Sequence, residues 1–134
     1  MKHLEVVCAI ITRKDDVLAA KRHPGGPAGD KWEFPGGKIK AGETPEQAIC
    51  REIAEELTCR VRPKKRLKSN FHVYPVFSIS LLPIVCEIIE GEPNAIEHAE
   101  IRWVVTAQLD SLDWADADRP IVENYTHMAE CKNQ

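Results

Sequence analysis

At 134 residues the chain has room for one domain of ordinary size and no second. Its 43% hydrophobic and 29% charged residues are the balance of a globular protein, which excludes collagen, coiled coil and bulk disorder. Lys and Arg number 18 against 21 Asp and Glu, a formal net charge of −3, so a broad interface with a nucleic-acid polymer is not expected. A small phosphorylated ligand stays compatible with that charge if metal ions shield it.

The cysteines Cys8, Cys50, Cys59, Cys86 and Cys131 are odd in number, and no two have the C-x-x-C spacing. They signal neither a disulfide framework nor a zinc site, and read as small, mostly buried thiols in a reducing compartment. The apolar run Val6 to Ile11 spans six residues. A secretory core needs ~7–15 apolar residues and a small-residue cleavage site, and a membrane span needs ~20. The expectation is a soluble, cytoplasmic protein with no membrane partner. No pattern encodes its oligomeric state.

Residues 4–12 are β-branched and predict a buried strand. Asp15-Asp16 marks a turn, and Val17 to Arg22 returns as a second strand. His23 to Asp30, rich in Gly and Pro, is a loop. Trp32-Glu33-Phe34 is a short strand running into Pro35-Gly36-Gly37, and residues 38–43 form a further loop. Thr44 as N-cap and Pro45 at the first helical position open a helix that should reach about Leu57. After the basic stretch Arg60 to Lys68, strands are expected over Leu67 to Val73 and Val76 to Glu90, with a turn at Tyr74-Pro75. Pro83 inside the second run implies an edge strand or a bulge. Gly91 to Asn94 turns, Glu100 to Val104 is a short strand, and Thr106 caps a brief helical turn through Leu109. Asp118 or Asp116 caps a last helix from Arg119 to about Ala129. The order β-β-β-α-β-β-β-α is that of an α/β fold, a mixed sheet with helices on its faces.

The first helix is the informative element. Ile49, Ile53 and Leu57 recur at i, i+4, i+8 and form its core face. Glu52, Glu55 and Glu56 meet on another face at i, i+3, i+4, read as having no Lys or Arg at i±4 to offset them. Like charges so placed cost roughly 0.2–0.5 kcal/mol per pair. A solvated acidic face is one explanation. A site for Mg²⁺ or Mn²⁺, hard cations that take oxygen ligands, is the other. Gly36-Gly37 just upstream would let backbone approach a ligand or metal closely.

The spacing from Gly37 through Glu43 to Arg51-Glu52-Ile53 and Glu55-Glu56 resembles the Nudix hydrolase signature G-x5-E-x7-R-E-U-x-E-E-x-G-U, with U a bulky apolar residue. The final glycine is replaced by Thr58, and a rebuilt helix end is expected in place of a strained one. The resemblance runs over residues 4–129 and is nearest to the MutT-type nucleoside triphosphate pyrophosphohydrolases. Trp32 to Lys38, Gly42 to Ala48, Glu90 to Pro93, Glu97-His98 ahead of Trp103, and Ala117 to Ile121 carry it.

That resemblance implies the Nudix fold, an α/β/α sandwich with a mixed sheet, in a single domain over 1–134. It implies Mg²⁺-dependent hydrolysis, with Mn²⁺ as a substitute, of nucleoside triphosphates to monophosphate and pyrophosphate. The expected substrates are oxidised or modified ones such as 8-oxo-dGTP, in sanitation of the nucleotide pool; CTP or modified dCTP is the alternative. Glu52, Glu55, Glu56, Glu97 and the Gly36 carbonyl are the implied metal ligands. Arg51 holds Glu43 and the carboxylates in place. Glu52 and Glu97 both stand as candidates for the base. Arg22 and Lys38 are the implied phosphate contacts, and Phe34, Glu33 and Asp118 the base pocket. His98 is left as structural, Phe71, Tyr74 and Phe77 as core or turn residues, and Trp32, Trp103 and Trp114 as packing. Two other readings stay open: a ligand sensor that keeps the fold without turnover, and a hydrolase for a nucleotide sugar or dinucleotide polyphosphate.

Overall fold

The computed structural model describes residues 1–26 and 28–132, excepting the Lys132 side chain; Pro27, within the expected 23–30 loop, lies outside them. The elements are β1 (Lys2–Arg13), β2 (Asp16–Lys21), β3 (Trp32–Glu33), β4 (Gly36–Lys38), α1 (Pro45–Leu57), β5 (Arg60–Arg66), β6 (Asn70–Val73), β7 (Phe77–Glu90), β8 (Glu100–Val105) and α2 (Arg119–Lys132), with a 3₁₀ turn at Thr106–Ser111 before α2. All eight strands join one mixed sheet along the path β3-β2-β1-β7-β5, with β4 on β1, β6 on β7 and β8 on β2. β1 and β7 run parallel from Lys2 opposite Phe77 to Thr12 opposite Glu87.

The alternation of side chains along β1 builds two cores. Val7, Ala9 and Ile11 face α1 and pack with Ile49, Ile53 and Leu57. Cys8 and Ile10 face the other way and pack with Phe34, Leu109, Trp114, Ile121 and Val122. Helix, sheet and helix thus form the expected α/β/α sandwich. Each fully buried Ile or Leu of the α1 stripe contributes roughly 1.5–3 kcal/mol. α1 opens as its sequence dictates: Thr44 Oγ1 accepts from Gln47 N at 3.1 Å, and Thr44 N donates to Gln47 Oε1 at 2.9 Å.

Five expectations need correction. Gly36–Lys38 is a strand on β1, and Arg60–Arg66 is a strand on β7. Pro83 lies buried in the central strand β7, not at an edge. Its carbonyl accepts from Leu67 N at 2.9 Å, between the end of β5 and the start of β6. A residue's N–H and C=O point to the same side of a strand, so the missing N–H costs no bond to β1. The turn after β4 leads to α1 as expected, but Thr106 gives its 3₁₀ turn no side-chain cap: its hydroxyl donates to Asp15 O at 2.7 Å. Finally, Thr58 is not rebuilt out of the left-handed region but sits in it, at φ 58° and ψ 30°.

Candidate active site

Arg51 organises the acidic face of α1. Its Nε donates to Glu43 Oε2 at 2.7 Å and its Nη2 to Glu43 Oε1 at 2.9 Å, a two-pronged grip. Nη1 reaches Glu52 Oε1 at 2.7 Å and Glu55 Oε2 at 3.5 Å, while Nη2 also donates to the Lys38 carbonyl at 3.0 Å. One guanidinium therefore ties the loop before the helix, the end of β4 and two helix carboxylates together. Arg51 stands four residues before Glu55, so the acidic face does carry an offset at that spacing, contrary to the expectation. The guanidinium holds the Glu43 carboxyl at about 2, its side-chain hydrogen bonds being the main cause.

Glu56 has no such partner. It is buried, and its Oε2 makes no hydrogen bond among the described residues. Burial first, then the charges of Glu52, Glu33 and Glu97, push its carboxyl up to about 8, with a backbone hydrogen bond from Gly36 opposing them. An unpaired buried carboxylate is costly unless a cation meets it. Gly37 supports the same reading, since a Cβ there would lie 2.4 Å from the Glu52 carboxyl carbon. At Gly36 a Cβ would lie 2.0 Å from the Val7 carbonyl oxygen. The two glycines let β4 run against both β1 and the carboxylates. Among the described residues, no three His, Cys, Asp or Glu side chains stand as a preformed metal cage. The donor set is nevertheless all oxygen, with one orphaned buried carboxylate oxygen, and it fits a hard divalent ion.

Two cavities meet at this edge. An apolar cleft of about 260 Å³ runs between Val6, Cys8, Phe34, Phe77, Leu81 and Asp118. A polar pocket of about 310 Å³ is lined by His23, Glu97 and His98. Arg22, Glu33 and Glu56 line both. At the inner end of the cleft Asp118 is buried, and Phe34 N donates to its Oδ2 at 2.9 Å. Burial first, and then the Glu33 charge, holds the Asp118 carboxyl well above the usual carboxylate range. The Asp118 carbonyl accepts from Val122 N at 3.0 Å and begins α2, but its side chain serves Phe34 instead of capping the helix.

The combination of this acidic helix with a glycine-built approach decides the family: residues 6–124 match the family model described as NUDIX domain. The chain belongs to the NUDIX family. Among its relatives, the Escherichia coli 8-oxo-dGTP diphosphatase is 32% identical over 123 residues, covering 91% of this chain and 95% of that protein. The Escherichia coli CTP pyrophosphohydrolase is 31% identical over 125 residues, covering 93% of each. The MutT NUDIX hydrolase from Burkholderia pseudomallei superposes with a TM-score of 0.82 at 26% identity, covering 92% of this chain and 98% of that one. Nudix hydrolases generally need a divalent metal and act on small nucleotide substrates. No described helix is long and apolar enough to cross a membrane.

Within the Nudix frame, the residues singled out from sequence divide by place. Gly36, Arg22, Glu33, Phe34, Glu56 and Asp118 line the cleft, and Glu97 enters the polar pocket beside Glu56. Glu52 lies under Gly37, whereas Glu55 is exposed along one side of Arg51. The Lys38 side chain is exposed and lines neither cavity. Tyr74 and Phe77 close the expected turn, Tyr74 N donating to Phe77 O at 2.8 Å, and Tyr74 packs on the core; both also line the cleft and stack with centroids 4.8 Å apart, whereas Phe71 is 62% exposed and belongs to no core. The signal was present, because Phe77, Ile79 and Leu81 alternate along β7 and all three face the cleft. Trp32 and Trp114 are buried packing residues as expected, and Trp103 lies under the Arg13 guanidinium at 4.0 Å.

Proposed function

We propose that residues 1–134 form one hydrolase domain that converts nucleoside triphosphates to the monophosphate and pyrophosphate in the cytoplasm, with Mg²⁺ as the working ion and Mn²⁺ able to replace it. The observation that carries this reading is Glu56 Oε2, buried without a partner where an apolar cleft and a polar pocket share their lining. A base fits the first space and a polyphosphate the second, but the second holds Glu33, Glu56 and Glu97 and would repel a polyphosphate without cations.

Glu52, Glu55, Glu56, Glu97 and the Gly36 carbonyl would hold the ion. When bound, it neutralises phosphate oxygens and lowers the pKa of water. Arg51 keeps Glu52 and Glu55 in register through its grip on Glu43. Glu52 or Glu97 takes the proton of the attacking water. Arg22 meets the phosphates from within the pocket, and Lys38 from outside its lining. Phe34 and Asp118 read the base, with Glu33 at the junction.

8-oxo-dGTP is the favoured substrate. A protonated Asp118 offers an O–H to the O6 acceptor of 8-oxoguanine while its other oxygen stays with Phe34 N. The upward shift of the Asp118 carboxyl, caused first by burial, favours this form. An ionised Asp118 only accepts, and would suit the N4 amino group of CTP or modified dCTP. A panel of nucleotides incubated with Mg²⁺ in ¹⁸O water, with products resolved by chromatography, tests the proposal. The expected products are monophosphate and pyrophosphate, with 8-oxo-dGTP and cytidine triphosphates ahead of dATP and dTTP. Label confined to orthophosphate, or no triphosphate hydrolysed, would refute it.

A further inference from the structure

His98 is the one buried residue of the polar pocket that the proposed chemistry leaves without a task. It is 8% exposed, and its Nε2 lies 2.9 Å from Glu33 Oε2. A carboxylate oxygen accepts, so Nε2 carries the proton of that bond. Nδ1 is buried and makes no hydrogen bond. Among the described residues the bond to Glu33 is therefore the only polar anchor the ring has, and an imidazole buried for packing alone gains nothing from an orphaned nitrogen. Glu33 in turn receives Arg22 Nη1 on its other oxygen, Oε1, at 3.1 Å. The three side chains come from three segments: the loop before β8, strand β3, and the residue that follows β2.

We propose that His98 is a positioning residue that sets Arg22 for the substrate polyphosphate through Glu33; this rests on the triphosphate reading of the site. The Arg22 side chain is 45% exposed, and Glu33 is its one charged partner among the described residues. A long exposed arginine loses rotamer freedom when it grips a phosphate. Glu33 restrains it beforehand, and is restrained itself only if its second oxygen is held. The imidazole thus fixes a pre-aimed guanidinium without touching the substrate.

The test uses the full chain with Mg²⁺ and either 8-oxo-dGTP or CTP, whichever the unaltered protein hydrolyses faster. Variants are His98→Leu, which removes the donor, His98→Gln, which restores an N–H near Nε2, Arg22→Ala, and the His98→Leu/Arg22→Ala pair. His98→Leu is expected to raise KM by ~10-fold with kcat changed by less than about 3-fold, as for loss of a residue that orients a ligand-binding group. His98→Gln should recover most of that rise, and in the Arg22→Ala background His98→Leu should add nothing, since the two act on one contact. An unchanged KM in folded His98→Leu overturns the proposal. So does a KM effect that persists without Arg22, or a loss confined to kcat, which would assign His98 to the Glu97 loop. If His98→Leu does not fold, the ¹H–¹⁵N resonance of the His98 Nε2 proton decides. It must move when a non-hydrolysable methylene triphosphate analogue is added, and must stop moving in Arg22→Ala; a static resonance overturns the proposal. If the unaltered protein hydrolyses no triphosphate, the reading of the site fails and the inference with it. That result is distinct from a flat cycle in an active enzyme.

Discussion

The Phe34 backbone N–H donates to Asp118 Oδ2 at 2.9 Å, so the strand end that enters the acidic site is tied to the residue that begins α2. This bond fixes the Asp118 carboxyl at the inner wall of the cleft while leaving its second oxygen free to meet a base. Burial, more than the neighbouring Glu33 charge, raises the pKa of this carboxyl well above the usual carboxylate range. Selection between bases should therefore depend on pH. The kcat/KM ratio of 8-oxo-dGTP over CTP is expected to fall as pH rises and Asp118 ionises, whereas Asp118→Asn, always a donor and acceptor, should keep it flat. Above that ionisation the variant should favour 8-oxo-dGTP by ~1–3 kcal/mol relative to the unaltered protein, the size of an exchanged polar contact to a base. Parallel pH profiles in the two proteins would show that Asp118 does not read the base.

The helix that carries this chemistry was fully legible in the sequence, and two of the strands that frame it were not. Thr44, Pro45 and the Ile49-Ile53-Leu57 stripe fix α1 by local rules, and the glutamates follow from it. β4 is Gly36-Gly37-Lys38, with no side chain that favours a strand; only the ladder to β1 makes it one. β5 reads as a run of charge because it is a sheet edge with little to bury beyond Val61. Its Lys and Arg residues are what natural edge strands carry against unwanted pairing. The Glu33–His98 bond was illegible for a different reason: 65 residues separate its partners, and nothing local in either announces the other.

Glu56 gives the metal prediction its sign. Its folded carboxyl is raised to about 8 from an ordinary 4.5, so without metal the folded chain holds a proton that the unfolded chain releases between those values. For this group, metal-free stability is therefore expected to be greatest at and below about pH 4.5 and to decline as pH rises toward 8. Glu56→Gln should remove that decline and be more stable than the unaltered protein at pH 8 without metal, by on the order of 1–3 kcal/mol after allowing for its coupling to Glu52 and Glu97. Mg²⁺ should reverse the order, raising the melting temperature of the unaltered protein more than that of Glu56→Gln, and more so at higher pH. Turnover in Glu56→Gln and Glu52→Gln should fall by ~10²-fold or more, and EDTA should abolish it in every form. Near-normal turnover in both variants would sink the metal-site assignment.

Glu43 has the opposite sign. Arg51 holds its carboxyl at about 2, below the ordinary 4.5. Its contribution to stability is complete above pH 4.5 and is lost as pH falls toward 2. Glu43→Gln should flatten stability across that window. The same change frees one side of the Arg51 fork, so kcat is expected to fall ~10-fold at neutral pH with the fold intact. A variant with unaltered kcat would reduce the Arg51–Glu43 grip to a purely structural contact.

Thr58 stands where the family signature has glycine, and the helix end keeps the left-handed geometry that glycine would adopt. A β-branched residue there costs on the order of 1–2 kcal/mol. Three bonds offset it: Thr58 N donates to Ala54 O at 3.2 Å, Thr58 Oγ1 to Leu57 O at 2.6 Å, and Asn94 Nδ2 to Thr58 Oγ1 at 3.0 Å. Only the first survives in Thr58→Gly. The bond from Asn94 is exposed and the one to Leu57 O only part-buried, so water competes for both and their net worth lies toward the low end of ~0.5–1.5 kcal/mol. Glycine also adds unfolded-state freedom worth roughly 0.5–1 kcal/mol. These terms leave little net change in Thr58→Gly. Thr58→Asn separates them, because asparagine accepts the left-handed region without the β-branch and can still receive a bond from Asn94. Chemical denaturation is therefore expected to show Thr58→Gly within about 0.5 kcal/mol of the unaltered protein and Thr58→Asn more stable by ~0.5–1 kcal/mol. A Thr58→Asn variant less stable than the parent would mean that the threonine's own hydrogen bonds, and not its backbone strain, govern this helix end.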